Sequence, residues 1–300
     1  MILYFMGLGA CTNSPSIPLV PAPSIPANTT TPIPLPTLSP TAIPIPTSAP
    51  LNLHPQVLVL ANNLPEPDDL VLAPDGSIYV SDVTEGTIKQ YTRDGQLNPI
   101  LSGLSAPEGM AFAPDGSLVI AEQGRNRLVR YDFKSKTLTP ILDLSNHTHN
   151  LGVDGILWDG INLIVPDSPN GTVLEVSLDG KTVRQLSSGL VRPTGAWSEP
   201  DGNLLIADEN GNAVMRLHQN GTLEKIATFS IPDDVIEDPN GNIFVITMGD
   251  DAIHLITVQN KEDVVLVSGL ADPQGLIFDL DGNLIVTDSG HHQLLKVIIH

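Results

Sequence analysis

The chain reads as an all-β, six-bladed β-propeller with four antiparallel strands per blade, closed by its own N-terminal strand and preceded by a disordered Pro-rich stalk. Three observations predict this. An Asp-Gly or Asn-Gly turn recurs six times, at Asp75-Gly76, Asp115-Gly116, Asp159-Gly160, Asp201-Gly202, Asn240-Gly241 and Asp281-Gly282, with spacings of 40, 44, 42, 39 and 41 residues. Each turn lies between two short β-rich runs, as in LVLAPDGSIYVSD and LIFDLDGNLIVTD, which is the sequence form of a hairpin. Two further β-rich runs follow each of the first five hairpins and one follows the sixth, so about 40 residues carry four strands, the arithmetic of a propeller blade.

The first element is MILYFMGLGAC, residues 1–11, an apolar stretch ending in the chain's one cysteine. It is too short to span a bilayer, and a single cysteine excludes an internal disulfide. Leu8-Gly9-Ala10-Cys11 resembles the bacterial lipobox, in which small residues precede a cysteine that receives lipid. The resemblance implies a signal peptide over 1–11 and lipidation of Cys11. It also implies an extracytoplasmic protein held to the cell membrane or cell surface. A clipped signal peptide with an incidental cysteine, and hence secretion, is the alternative. Residues 12–55 contain 13 prolines. Proline fixes φ and lacks the amide donor, so helix and sheet are excluded. An extended spacer reaching about 140 Å at most is expected.

The propeller is expected over 56–300. A second marker precedes each turn: Pro67-Asp68-Asp69, Pro107-Glu108-Gly109, Val153-Asp154-Gly155, Pro193-Thr194-Gly195, Pro232-Asp233-Asp234 and Pro273-Gln274-Gly275. The sixth repeat stops after LLKVIIH with three strands, and the missing one sits at the front, where Val57–Leu64 parallels Val264–Leu270. The N-terminal strand should therefore be the outer strand of the last blade, removing an edge that would otherwise invite pairing with another chain. Inner strands descend from the top face to the bottom, so a chain that begins on an outer strand comes in from the bottom. The Asp-Gly turns then lie on the bottom face. The Pro-led segments open onto the top, beside the central channel.

With 34 acidic and 14 basic residues the formal charge is −20. Phosphate binding runs on Lys and Arg, so a nucleic-acid partner is excluded and a face that attracts cations is favoured. Aromatic residues make up 4% of the chain, too few for a base-stacking platform. There is no Gly-x-Ser-x-Gly, Walker loop, Gly-x-Gly-x-x-Gly after a strand or His-Glu-x-x-His. A serine hydrolase, a nucleotide enzyme and a zinc protease thus lack support.

Repeats such as GLSAPEGMAFAPDGSLVIAEQGRNRLVRY and LADPQGLIFDLDGNLIVTDSGHHQLLKV resemble those of NHL-repeat proteins and of the senescence-marker-protein/gluconolactonase group. The resemblance covers about 57 to 300 and is specific for fold rather than activity. Hydrolases of the gluconolactonase group hold a divalent metal, usually Ca²⁺, at the top of the channel. Their ligands stand at the starts of inner strands, one Glu, Asn residues and one Asp. The matching positions here are Asp68, Glu108, Asp154, Thr194, Asp233 and Gln274. Glu108 and Asp233 fit the expected types, whereas the Asn ligands do not appear.

Asp68, Glu108, Asp154 and Asp233 are the candidate metal ligands. Four carboxylates around one channel repel one another, so either a cation binds or a pKa rises; capping of backbone amides in tight turns is the competing reading. His147 and His149, in the loop Ser145–Asn150 beside Asp154, are candidate metal ligands or general bases, and Asn150 offers a carboxamide. Strand-end Asp82, Glu122, Asp167, Asp208 and Asp288 read as structural, because they repeat from blade to blade. The sequence favours an anchored, monomeric binding module whose top face takes a small molecule, a glycan or a protein, with the membrane reached only through Cys11. A Ca²⁺-dependent lactonase or esterase is the alternative. Carboxylates converging on one point would favour the enzyme, and carboxylates bonded to their own turn amides the binding module.

Overall fold

The protein is described by a computed structural model over residues 51–145, 152–259 and 261–300. Cys11, the stalk up to residue 50, His147, His149 and Asn150 lie outside the described residues. The remainder is a six-bladed propeller of 24 strands, with only two single-turn 3₁₀ segments among the described residues. Strand β1 (Gln56–Asn62) comes first. Blade 1 is β2–β5 (Pro67–Leu72, Ile78–Asp82, Thr87–Tyr91, Leu97–Ser102), and blade 2 is β6–β9 (Pro107–Phe112, Leu118–Glu122, Arg127–Asp132, Thr137–Asp143). Blade 3 is β10–β13 (Leu157–Trp158, Leu163–Asp167, Thr172–Val176, Val183–Ser188), and blade 4 is β14–β17 (Pro193–Ser198, Leu204–Asp208, Ala213–Leu217, Leu223–Thr228). Blade 5 is β18–β21 (Pro232–Glu237, Ile243–Thr247, Ala252–Ile256, Asp263–Ser268), and blade 6 holds β22–β24 (Pro273–Phe278, Leu284–Asp288, Gln293–Ile298).

The expected closure is present. β1 pairs antiparallel with β24, from Gln56 opposite Ile298 to Asn62 opposite Gln293, and completes blade 6 in the order β1-β24-β23-β22. Before it, Asn52 N donates to Ile299 O, while Asn283, next to the Asp281-Gly282 turn, accepts from Ile299 N. The chain therefore comes in on the face that carries the Asp-Gly turns.

Burial follows from blade geometry. The second strand of each blade is packed on both faces, and all five residues of β3, β7, β11, β15, β19 and β23 are buried. Their runs of Ile, Val and Leu suit a fully covered strand. The apolar core is six clusters, one between each pair of neighbouring blades. Each fully buried Ile, Leu or Phe contributes roughly 1.5–3 kcal/mol, so the ring is held by side chains meeting across blade faces. The hairpin turns behave as their sequence demands. Gly76 has φ +83°, a conformation open to glycine, and Asp75 Oδ1 accepts from Ser77 N at 2.9 Å.

Blade 3 departs from the expected regularity. Its inner strand pairs only through Leu157–Trp158, whereas inner strands elsewhere run for six residues. Its second strand carries Pro166 opposite Val173 of the third strand. The segment Val153–Ile156 is tied instead to blade 2, where Gly109 N donates to Asp154 O at 3.1 Å.

Candidate metal centre at the top of the channel

In a regular strand successive side chains point to opposite faces. The inner strands break that rule at their first residues. Pairing with the second strand slips between Pro67 and Leu70, Pro107 and Met110, Pro193 and Ala196, Pro232 and Asp234, and Pro273 and Leu276. Such bulges re-aim side chains, and consecutive residues, Asp68 with Asp69 and Asp233 with Asp234, both line the central cavity. Second-strand hydroxyls brace the slips. Ser81 Oγ accepts from Asp69 N at 3.0 Å and Thr287 Oγ1 from Gly275 N at 2.7 Å. Glycines complete the approach of neighbouring strands, since a Cβ on Gly195 would lie 2.5 Å from Asp234 Oδ1 and 2.8 Å from Asp233 O.

The result is a ring of acids at the head of a cavity of about 160 Å³, whose lower wall is apolar and includes Val71, Leu157, Trp197, Ile236 and Ile277. Two groups of three carboxylates form there, Asp68–Glu108–Asp154 and Asp154–Glu209–Asp233, with one oxygen from each member within 4.8 Å of the others. Glu108, Asp154, Glu209 and Asp233 are all buried. Asp68, Glu108 and Asp233 accept no side-chain hydrogen bond from a backbone amide among the described residues, so convergence rather than turn capping describes them. Asp154 accepts the Gly155 amide and lies within hydrogen-bonding reach of Glu108. Glu108 Oε2 is buried with no hydrogen-bond partner among the described residues.

Burial drives the carboxyls of Asp68, Glu108 and Asp233 well above the usual range, and the charge of Asp154 adds to the rise. Burial raises Asp154 as well, against the pull of Arg192. One layer down, Asp69 is pushed up to about 7, again chiefly by burial. Asp234 rises through burial and the charge of Asp69. These two do cap amides, Asp69 at Leu70 N (2.6 Å) and Asp234 at Val235 N (2.8 Å) and Leu276 N (3.1 Å).

Sequence reasoning missed four residues. Asp69 and Asp234 were hidden by the strand alternation that the bulges abolish. Glu209 follows a strand-end Asp and is drawn in by its backbone, Glu209 N donating to Arg192 O at 2.9 Å. Arg192 is the important omission. Its Nη2 donates to Asp154 Oδ2 at 2.8 Å, and its Nη1 pairs with Glu209. The signal was present, because among the residues just before the six Pro-led or Val-led segments Arg192 is the one basic side chain.

The other strand-entry residues, the strand-end acids and both tryptophans are accounted for by bonding or packing. Thr194 donates its hydroxyl to Asp233 O at 2.7 Å, and Gln274 reaches Asp272 rather than the ring. Asp82, Glu122, Asp208 and Asp288 accept loop amides and, in three cases, cationic or imidazole partners. Asp82 takes Glu85 N and Lys89, Glu122 takes Ser105 N with Arg125 and Arg127, Asp208 takes Val191 N and Arg192 N, and Asp288 takes Ala271 N and His291. Asp167 holds Asn170 instead, at 2.8 Å. Trp197 packs edge-on against Phe278 with ring centroids 6.4 Å apart, and Trp158 packs among the cores of blades 2 and 3.

The donor set suits a hard divalent ion, which takes oxygen ligands. Asp68, Glu108 and Asp154 offer carboxylate oxygens within one small volume, and among the described residues nothing bonds the buried Glu108 Oε2.

The architecture is shared with known structures. Its six-bladed fold is similar to those of solved gluconolactonase and lyase propellers. A gluconolactonase from Xanthomonas campestris superposes with a TM-score of 0.71 at 15% identity, covering 82% of this chain and 90% of that one. A second structure, provisionally described as a gluconolactonase, gives 0.68 at 22% identity over 85% and 94% of the two chains. A virginiamycin B lyase from Staphylococcus aureus gives 0.63 at 16% identity over 82% and 99%. No protein-family model matches the sequence, and no curated protein matches it.

Proposed function

We propose that the protein is a divalent-cation-dependent hydrolase of lactones or esters, with its site at the top of the channel. The observation that carries this is the buried, unpartnered Glu108 Oε2 beside Asp68 and Asp154. These three residues would hold the ion, Ca²⁺ by the character of the donors. Such an ion supplies Lewis-acid polarisation of an ester carbonyl. The chain supplies the rest. Inner-strand bulges fix the carboxylates, Arg192 offsets part of their charge, and the apolar wall of Val71, Leu157 and Trp197 excludes water from a carbon skeleton.

The fold by itself does not choose between hydrolysis, elimination and binding. A panel of neutral lactones and esters, assayed by acid release and product mass with Ca²⁺ or with chelator, makes the choice. A product heavier by one water, formed only with Ca²⁺ and lost in Glu108→Gln, is expected. Product without added water points to a lyase, and calcium binding without turnover of any member points to a binding module for a small molecule, glycan or protein. An extracytoplasmic location, lipid-anchored through Cys11, is part of the same proposal; the Cys11→Ser chain should leave the membrane fraction, and its retention there would contradict the anchor.

A further inference from the structure

The two carboxylate groups share Asp154 but differ in what stands among them. Asp154–Glu209–Asp233 already contains a cation, the guanidinium of Arg192, bonded to Asp154 at 2.8 Å and paired with Glu209. Its backbone is pinned, with N donating to Asp208 Oδ1 at 2.8 Å and O accepting from Glu209 N at 2.9 Å. Pro193 follows, and the side chain is 13% exposed. Arg192 is the only Lys or Arg among the described residues that is ion-paired to this ring. Among the described residues Asp68–Glu108–Asp154 has no ion-pair partner on its Asp68 and Glu108 side, and Glu108 Oε2, like Glu209 Oε2 and Arg192 Nε, has no hydrogen-bond partner.

We propose that Arg192 is the built-in occupant of a second cation site, so that the channel takes one divalent ion rather than two. A guanidinium keeps its charge at every accessible pH, and its fork can face two carboxylates at once. It therefore fills the second group permanently, and its charge confines a metal ion to the Asp68–Glu108 side. Loss of the guanidinium leaves Asp154 shared between two empty oxygen-donor groups, the kind of arrangement that two-metal sites use. This rests on the reading that Asp68–Glu108–Asp154 binds a divalent ion.

The test counts ions on the metal-free full chain, with Mn²⁺ as the probe, by calorimetry and by the spin-resonance signal of the free ion. Wild type should bind one ion and Arg192→Met two, with the second lost in Arg192→Met/Glu209→Gln and the first lost in Arg192→Met/Glu108→Gln. Arg192→Lys keeps a positive charge and should remain at one. One ion in both wild type and Arg192→Met overturns the proposal and leaves the metal reading intact. None in wild type but one in Arg192→Met, removed by Glu209→Gln, overturns the metal reading while retaining Arg192 as a cation's occupant. None in either contradicts both. Should Arg192→Met fail to fold without metal, its melting with Mn²⁺ replaces the count. Recovery of a cooperative transition that Glu209→Gln abolishes supports the proposal, and no recovery overturns it.

Discussion

Two rings of acids run around this propeller, one at the heads of the inner strands and one at the ends of the second strands. The outer ring is buried, and Asp82, Glu122, Asp208 and Asp288 each accept a loop amide, while Asp167 in blade 3 holds Asn170 and leaves Oδ1 without a partner among the described residues. The inner ring of Asp68, Glu108, Asp154 and Asp233 is crowded, with protonation favoured and one oxygen left over. The same residue types at blade-repeated positions thus have opposite energetic meaning. A buried carboxylate that satisfies a backbone donor stabilises the fold. One that faces other carboxylates costs stability until a proton or a cation arrives.

The largest expected effect breaks the outer ring. Glu122→Ala would leave the Ser105 amide, Arg125 and Arg127 without their acceptor. It should cost about 3 kcal/mol in denaturant unfolding; a cost near zero would erase the distinction between the rings. The inner ring should respond with the opposite sign. Glu108→Gln removes a charge from among Asp68 and Asp154, and should raise metal-free stability by about 1 kcal/mol while weakening Ca²⁺ binding on the order of 100-fold. If it destabilises the metal-free chain as Glu122→Ala does, the ring is structural.

The pH dependence sharpens the contrast with a smaller effect. Asp69 sits at about 7 in the folded chain, above the ordinary value of about 3.9 that the unfolded chain shows. The folded state therefore holds a proton that the unfolded state releases. The associated stability is present below the unfolded pKa and is lost as pH rises through about 7. The other ring acids shift in the same direction. Glu237, at the far end of its inner strand, is also pushed up to about 7, mainly by burial, and adds a slope that ring occupancy leaves alone. The melting temperature of the metal-free chain should fall between about pH 4 and pH 8. Saturating Ca²⁺ should remove most of that fall, and a slope unchanged by Ca²⁺ would assign it to Glu237.

Most of the fold was legible because its signals are local and repeated. Gly76 and its five counterparts mark hairpins, and the match of Val57–Leu64 to Val264–Leu270 is borne out as the pairing of β1 with β24. The positions of Asp68, Glu108, Asp154 and Asp233 were legible through the same register. What was not legible came from breaks in regularity. A one-residue slip after each leading proline admits Asp69 and Asp234 to the channel. The pairing of Arg192 with Asp154 joins residues 38 positions apart on neighbouring blades, which no spacing rule within one repeat encodes. Blade 3 keeps only Leu157 and Trp158 of its inner ladder, although its turn motif looked like the others.

The central question is whether the inner ring is a cation site. Calorimetric titration of the metal-free full chain with Ca²⁺ at neutral pH, in buffers of different ionisation enthalpy, tests this most directly. The expected result is one ion bound at about micromolar affinity with release of protons from the ring, and binding weaker on the order of 100-fold in Glu108→Gln. Absence of heat and of any rise in melting temperature up to millimolar Ca²⁺ would contradict it, leaving the inner ring a set of protonated acids.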